Sequence, residues 1–478
     1  MRYERIPGVK DVFMEGIFDD HWHEECGVFG IFGHERAAQQ VYLGLYALQH
    51  RGQESAGIAS EDTCEIHLHK GLGLVWSVFS DPTTMPRLTG CSAIGHNRYS
   101  TRGASDLINA QPISIECKAG KMAVAHNGTI TNAKRLRADL RQSGSIFQTT
   151  SDSEIVLHLI ARSRETDLLS AIMDALKQLS GAYCFLFLAP GKLIAARDPY
   201  GFRPLNIGRC GDAWVVASET CAFDIIGAQY CRSVDPGEVV CIDQKGATSL
   251  MVPEAEKNCF CIFEHIYFSR PDSRIFGEKV DKVRRRLGKK LALEEPADAD
   301  IVISVPDSGN TAALGYARAS GIRYEIGLIR NHYVGRTFIA PHQDRRNLDV
   351  KVKLNPVSGV LDGKRVVLVD DSIVRGTTMQ QIVRLLRDKG AREVHVRISS
   401  PPIRYPCFYG IDISKKAELI AGYQTIGEIQ GFLEAESLGY LSIPGLLSTV
   451  QDPENYCIAC FSGDYPTTIP KDFDKYLL

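Results

Sequence analysis

The sequence predicts a chain of mixed α/β and α+β architecture in two domains, the second built on a parallel sheet. Three observations point there. At 478 residues the chain exceeds one ordinary domain. The stretch Arg365–Thr378, RVVLVDDSIVRGTT, runs from a β-branched apolar strand through two aspartates into a short hydroxyl-rich loop, and Met379, Ile382, Val383 and Leu386 then recur at helical spacing before Gly390. The same order of strand, polar loop and helix occurs where ADIVISVP meets Asp307-Ser308-Gly309-Asn310-Thr311, with a helix beginning near Ala312. Such alternation favours a doubly wound parallel sheet with ligands at the carboxyl ends of its strands.

Composition narrows the function classes. The chain is 44% hydrophobic and 23% charged with net charge −2, and no long basic tract favours nucleic acid or an anionic membrane as a partner. No apolar run reaches the roughly 18 residues of a membrane span. The first 25 residues mix both charges and lack the apolar core of a secretory signal. Fourteen cysteines without such a signal point to reduced thiols, metal ligation or catalysis, and so to the cytoplasm.

In chain order, Cys26 comes first, in EECGVFGIFGHE. A lone cysteine is most often a small buried hydrophobe, but four polar, glycine-punctuated segments follow beside apolar ones. They are LYALQHRGQESAGI (Leu45–Ile58), GHNRYSTRGAS (Gly95–Ser105), AHNGTITN (Ala125–Asn132) and TTSDSE (Thr149–Glu154). Polar loops on a rigid scaffold are where chemistry is usually placed. At these motifs the sequence resembles the class II glutamine amidotransferase domain, an amino-terminal-nucleophile hydrolase fold. The resemblance implies that Cys26 is the nucleophile exposed by removal of residues 1–25 as a propeptide. A free α-amine, with an unperturbed pKa of about 7.7–8, could then accept the thiol proton. It implies further that Asn127 and the Gly128 N–H form the oxyanion hole, that Arg98 and Asp152 hold the glutamine carboxylate and ammonium, and that Thr101 lines the pocket. Taken singly, Arg98 and Asp152 would read as an ordinary ion pair.

From Gly181 to about Cys241, strand-like runs such as CFLFLA and AWVVASE flank the turn-rich RDPYGFRPL and look like the second sheet of the same domain. The polar VPEAEKN suggests a boundary near 255, giving domains 26–255 and 256–478. Beyond it come a helix over Lys279–Leu293, a third strand-like segment YEIGLIRN, and the long loop HYVGRTFIAPHQDRRN, of a length common in lids.

No P-loop motif occurs, and Gly71 and Gly73 lack the third glycine of a dinucleotide fingerprint. A loop between a strand's carboxyl end and a helix's amino end suits a phosphate, and paired carboxylates suit sugar hydroxyls or a divalent cation. VVLVDDSIVRGTT resembles the diphosphate-sugar signature of type I phosphoribosyltransferases. The resemblance implies that Ser372, Ile373, Val374, Arg375, Gly376, Thr377 and Thr378 receive the 5-phosphate of phosphoribosyl diphosphate. It places Asp370, Asp371 and Ser308 at one Mg²⁺, and Tyr333, Arg336, Thr337 and Lys353 in closure over the diphosphate.

The second half carries five cysteines, Cys457 and Cys460 in a C-x-x-C pair, Cys407, and Cys259 and Cys261. Spacing alone leaves zinc, an iron–sulfur cluster and unligated thiols open. Both halves together resemble the amidophosphoribosyltransferase family, and its iron–sulfur branch implies one 4Fe-4S cluster held by Cys261, Cys407, Cys457 and Cys460, with an exchange of Cys259 for Cys261 left open. The same resemblance implies glutamine-dependent synthesis of 5-phosphoribosylamine, the first committed step of purine biosynthesis, with ammonia channelled between two sites. It also implies a homotetramer inhibited by purine nucleotides. A hexosamine-forming amidotransferase and a non-catalytic regulator each account for only half of these motifs, and a nucleobase phosphoribosyltransferase fused to an unrelated hydrolase is separated by an assay of glutamine-dependent diphosphate release with no base added.

Overall fold

Among the described residues, thirteen strands form the first half: β1 (Gly27–Phe32), β2 (Ser55–Asp62), β3 (Glu65–Leu72), β4 (Ser92–Arg98), β5 (Ile113–Cys117), β6 (Gly120–Ile130), β7 (Gly181–Ala189), β8 (Lys192–Arg197), β9 (Asn206–Cys210), β10 (Ala213–Ala217), β11 (Gln229–Ser233), β12 (Glu238–Asp243) and β13 (Gly246–Met251). The computed structural model describes residues 26–63, 65–99, 106–118, 120–253, 255, 257–331, 354–411 and 416–470. Residues 1–25, Thr101, Tyr333, Arg336, Thr337 and Lys353 lie outside the described residues.

Two antiparallel sheets stack. One has the order β11-β9-β10-β1-β4-β2-β3 and the other β13-β12-β8-β7-β6-β5. Successive side chains of a strand point to opposite faces, and here both faces are covered. Val28 packs between the sheets with Ala123, Leu186 and Leu193, whereas Phe29 and Ile31 pack on Val41 and Leu45 of the helix Ala37–Ala47. The outer face of the second sheet meets the helices Ala133–Gln142, Ser153–Arg162 and Leu168–Leu176 through Leu136, Ile155 and Ile172. The result is a helix, sheet, sheet, helix stack.

The segment Gly181–Cys241 does not form one sheet. β7, β8 and β12 belong to the second sheet, but β9 and β10 return to the first, where β10 pairs with β1 beside Cys26. Strands buried on both faces read as uniform apolar runs, so their pattern carries no information about which sheet they join.

In the second half the parallel sheet is present, in the order Arg323–Tyr324, Ile301–Ser304, Arg365–Asp370, Glu393–Ile398, Ser437–Tyr440. Val302, Val367 and Val369 face one core, and Ile301, Ile303, Val366 and Leu368 the other. The helices Val280–Glu294 and Asn310–Ser320 cross on that first face with their backbones in close approach. A Cβ on Gly288 would lie 1.8 Å from Ala312 O and one on Gly315 2.2 Å from Arg285 O, so the crossing requires glycine at both points.

YEIGLIRN splits into two strands. Arg323–Tyr324 is the edge of the parallel sheet, while Leu328–Arg330 pairs antiparallel with Leu354–Pro356. The break falls at Gly327, where a Cβ would lie 2.7 Å from Ile303 Cγ2.

The two halves share a core. Ala182 and Phe202 pack with Ile262, Phe263, Tyr409 and Phe461, and Phe260–Cys261 pairs in parallel with Tyr456–Cys457. Among the described residues no helix is long and apolar enough to cross a membrane.

Candidate active sites

Cys26 immediately precedes β1, whose Gly27 lies opposite Asn97 of β4, so Arg98, at the end of β4, stands beside the thiol. The Cys26 Sγ is buried and donates to the Tyr99 carbonyl at 3.4 Å. Burial pushes the thiol up to about 11. The Tyr99 contact and the Arg98 charge act downward, while Glu54 and Asp152 add to the rise. The charges of Arg98, at the end of β4, and of Asp152, at the start of a helix on the second sheet, thus act on the same sulfur.

Asn127 and Gly128 lie on β6, in the other sheet. His96 Nε2 sits 2.9 Å from His126 O and ties β4 to β6. The Asn127 side-chain amide is buried, and its Nδ2 has no hydrogen-bond partner. A buried donor without a partner costs free energy, and an oxyanion of a bound substrate would satisfy it. Gly128 has φ +142°, and a Cβ there would lie 2.2 Å from Ala182 O, so only glycine fits.

Asp152 precedes the helix Ser153–Arg162, and its Oδ2 accepts from Ile130 N at 2.9 Å. Its carboxylate is therefore held at the end of β6. His126 Nδ1 lies 2.9 Å from Ser153 Oγ, and Gln111 accepts from His126 N and donates to Ser153 Oγ. Together these bonds clamp the strand that carries the Asn127 amide.

Four residues that the motif reading did not single out lie directly behind the nucleophile. Arg51 donates from Nε to the Cys26 carbonyl at 3.3 Å, to Glu219 at 2.7 Å and to Glu264 at 2.7 and 3.0 Å. Arg203 also reaches Glu264, at 3.4 Å, and all four side chains are fully buried. Glu219 further accepts from Arg270 N and Ser273 Oγ of the second half. Arg51 stands inside the quoted LYALQHRGQESAGI segment, but its partners are about 170 and 210 positions away, beyond any local pattern.

At the second site, Asp370 ends the central strand Arg365–Asp370 and the loop Asp371–Gly376 leads into the helix Thr377–Asp388. Gly376 caps that helix with φ +83°. Burial raises the Asp370 carboxyl well above its usual range, and the neighbouring Asp371 charge raises it further. Ser308 Oγ lies 3.5 Å from Asp370 Oδ1, Asp371 N donates to the same oxygen at 2.9 Å, and Ser372 Oγ donates to Asp371. Val374 O accepts from Ile420 N, and Arg375 contacts Glu418, which fixes the loop's far side. The sequence-predicted residues Ser308 and Asp370–Thr378 are therefore contiguous in space.

Four of the five cysteines of the second half, Cys261, Cys407, Cys457 and Cys460, also come together. Cys261 and Cys457 are directly opposite in their parallel pair, and Cys460 O accepts from the backbone of Arg404 and Tyr405, leading to Cys407. Burial pushes Cys261 and Cys457 each up to about 12, with Cys407 adding to both. Cys460 is raised by burial and then by Cys457, Cys407 and Cys261. Cys259 acts on Cys457 alone among them. Among the described residues no three His, Cys, Asp or Glu side chains converge tightly enough to hold a single metal ion.

Comparison with known proteins finds a match in each half of the chain. Residues 96–224 match the glutamine amidotransferase domain and residues 281–399 the phosphoribosyl transferase domain. The chain is 51% identical over 456 residues to the amidophosphoribosyltransferase of Bacillus subtilis, covering 94% of this chain and 96% of that one. It is 49% identical over 465 residues to that of Synechocystis, covering 96% and 94%. Two solved structures superimpose over 94% of this chain. One is described as the allosteric regulatory enzyme of purine biosynthesis (51% identity, TM-score 0.90, 97% of that chain). The other is the B. subtilis glutamine phosphoribosylpyrophosphate amidotransferase complexed with ADP and GMP (50%, 0.89, 98%). This identity over nearly the whole length, with both domain matches in one chain, shows that the chain belongs to the amidophosphoribosyltransferases, which carry out the first step of purine biosynthesis with glutamine and phosphoribosyl diphosphate.

Proposed function

We propose that Cys26, freed at the amino terminus by removal of residues 1–25, attacks the glutamine carboxamide within domain 26–255, and that domain 256–478 uses the released ammonia. The observation that carries this reading is the unpartnered Asn127 amide on the strand clamped beside the nucleophile. Asn127 Nδ2 and Gly128 N stabilise the tetrahedral oxyanion, Arg98 pairs with the glutamine carboxylate, and Asp152 pairs with its ammonium. Water then cleaves the thioester. Ammonia displaces diphosphate at ribose C1 while Ser372–Thr378 hold the 5-phosphate. Ammonium is no nucleophile, so a path through the shared core, sheltered from bulk protons, has a chemical purpose.

Asp370, Asp371 and Ser308 offer oxygen donors suited to Mg²⁺, and the raised Asp370 carboxyl marks a pair of buried charges that a divalent cation would relieve. When bound, the cation would neutralise charge on the diphosphate. Thr101, Tyr333, Arg336, Thr337 and Lys353 keep their proposed binding roles from the family resemblance.

Cys261, Cys407, Cys457 and Cys460 fit a 4Fe-4S cluster. Zinc at about 2.3 Å from each sulfur would draw the four sulfurs to within about 4 Å of one another, whereas one iron per thiolate leaves them farther apart while still neighbours. Cys261 rather than Cys259 is the first ligand, because Cys407, Cys457 and Cys460 all share its surroundings. Anaerobically purified protein is expected to carry about four irons per chain and absorb broadly in the visible; colourless, zinc-loaded protein would overturn this assignment. A cytoplasmic homotetramer inhibited by purine nucleotides completes the proposal; the ADP and GMP complex of the B. subtilis relative supports the nucleotide part of it.

The oxyanion assignment is tested by Gly128→Ala. The added Cβ cannot be accommodated beside Ala182 O, so glutamine-dependent kcat/KM is expected to fall by about 10²–10³ while ammonia-dependent synthesis persists. Equal loss with both nitrogen donors would count against it.

A further inference from the structure

A continuous chain of hydrogen bonds links the cysteine quartet to the nucleophile. Tyr409 N donates to Cys407 Sγ at 3.4 Å. The Tyr409 carbonyl accepts from Arg203 at 2.8 Å (Nη2) and 3.2 Å (Nε). Arg203 Nη1 reaches Glu264 Oε1 at 3.4 Å, Glu264 accepts from Arg51, and Arg51 Nε donates to the Cys26 carbonyl at 3.3 Å.

Every link is buried, and the surroundings keep it in register. The Phe202 ring stacks on Tyr409 with centroids 4.1 Å apart, and Phe202 O accepts from Cys261 N. Gly410, with φ +121°, adopts a backbone conformation that favours glycine and lets Arg203 pass close to its Cα. The Arg203 charge also acts downward on the Cys261 and Cys457 thiols.

From this geometry we infer that Arg203 is a positioning residue that couples the cysteine quartet to the glutamine site, so that loss of the group held by the quartet is transmitted to Cys26. The quartet fixes the Tyr409 peptide through Cys407. Arg203, held by that peptide, sets the position of Glu264, and Glu264 sets Arg51, which holds the backbone of the nucleophile. A buried ionic network with all its partners present has few alternative arrangements, so displacement at one end is carried to the other. A surface salt bridge would be screened and would carry little of this.

The inference rests on the cluster reading above, and its test separates the two. Processed protein and its Arg203→Lys variant are compared with and without iron removal by chelator. The first readout is the rate of Cys26 alkylation by a glutamine analogue carrying a chloroketone in place of the carboxamide. The second is the alkylation rate with iodoacetamide, which needs no glutamine pocket. Ammonia-dependent synthesis reports the integrity of the second site.

Iron removal from the parent is expected to slow the glutamine-analogue reaction about tenfold and leave the iodoacetamide rate within about twofold. Arg203→Lys with iron retained is expected to show the same split, and iron removal should then slow it little further, because the relay is already cut. Independent, additive losses, or an unchanged analogue rate in Arg203→Lys, would overturn the inference. If iron removal also abolishes ammonia-dependent synthesis, the comparison of the two iron-loaded proteins decides. Protein that never contained iron refutes the cluster reading, and the split between alkylating agents in Arg203→Lys then still decides whether the arginine positions Cys26.

Discussion

Replacing Cys26 by alanine is expected to lower glutamine-dependent synthesis by about four orders of magnitude or more, since no other group can form the thioester. Ammonia supplied externally should restore product formation, because one face of the parallel sheet, with Ile373 of its loop, packs in a core of Val366, Leu368, Ile382 and Val396 that contains no residue of the first half. Loss of both activities would sink the two-site reading. The pH profile adds a second check. Burial pushes the thiol up to about 11, so the thiolate alone would be scarce at neutral pH. The α-amine of processed protein must be neutral to accept the thiol proton, so kcat/KM for glutamine should rise with pH through the ordinary amine range of about 7.7–8 and fall below it. A rise deferred to pH 11 would show that the amine takes no part.

Asp370→Asn should produce the complementary result, the loss of synthesis with both nitrogen donors. A drop in kcat/KM on the order of 10²–10³ is expected for removal of one charged group that binds ribose and cation. Stability should move the other way. In the folded chain Asp370 holds its proton to a pH well above the ordinary 3.8 because of burial and the Asp371 charge. Between those two values the folded state binds more protons than the unfolded one, so this residue's contribution to stability declines as pH rises through the window. Asparagine removes that decline, and Tm near neutral pH should be equal or higher than in the parent. A large drop in Tm with activity retained would refute the role. Such a cost in stability, kept for function, is common where charges are gathered at a site.

Much of this architecture was legible in the sequence. The run VVLVDDSIVRGTT specifies strand, loop and helix by local chemistry alone: β-branched burial, hydroxyls for a phosphate, and then a 3.6-residue apolar period, and each element lies where that pattern puts it. The polar segments around Arg98, Asn127 and Asp152 were also marked, because polar residues that interrupt apolar runs are conspicuous in any buried sheet, but Arg98 and Asn127 lie within the strands β4 and β6 and not on the loops that the pattern suggested. The split of Gly181–Cys241 between two sheets was not legible, since strands covered on both faces carry no mark of their partner. Nor was the break at Gly327, which depends on Ile303 of a neighbouring strand.

Cys26 shows the division most clearly. By itself the sequence marked the residue types proposed for each end of the reaction, a thiol with its amide and charged partners and a carboxylate pair with its phosphate loop, because those signals are local. Only the tertiary structure decided that Arg51 supports the Cys26 carbonyl, that Glu264 of the second half supports Arg51, and that Arg203 joins this network to the cysteine quartet. Buried charges must find partners wherever the fold brings them, and these partners are separated by as many as 213 positions, a distance over which neither periodicity nor motif spacing operates.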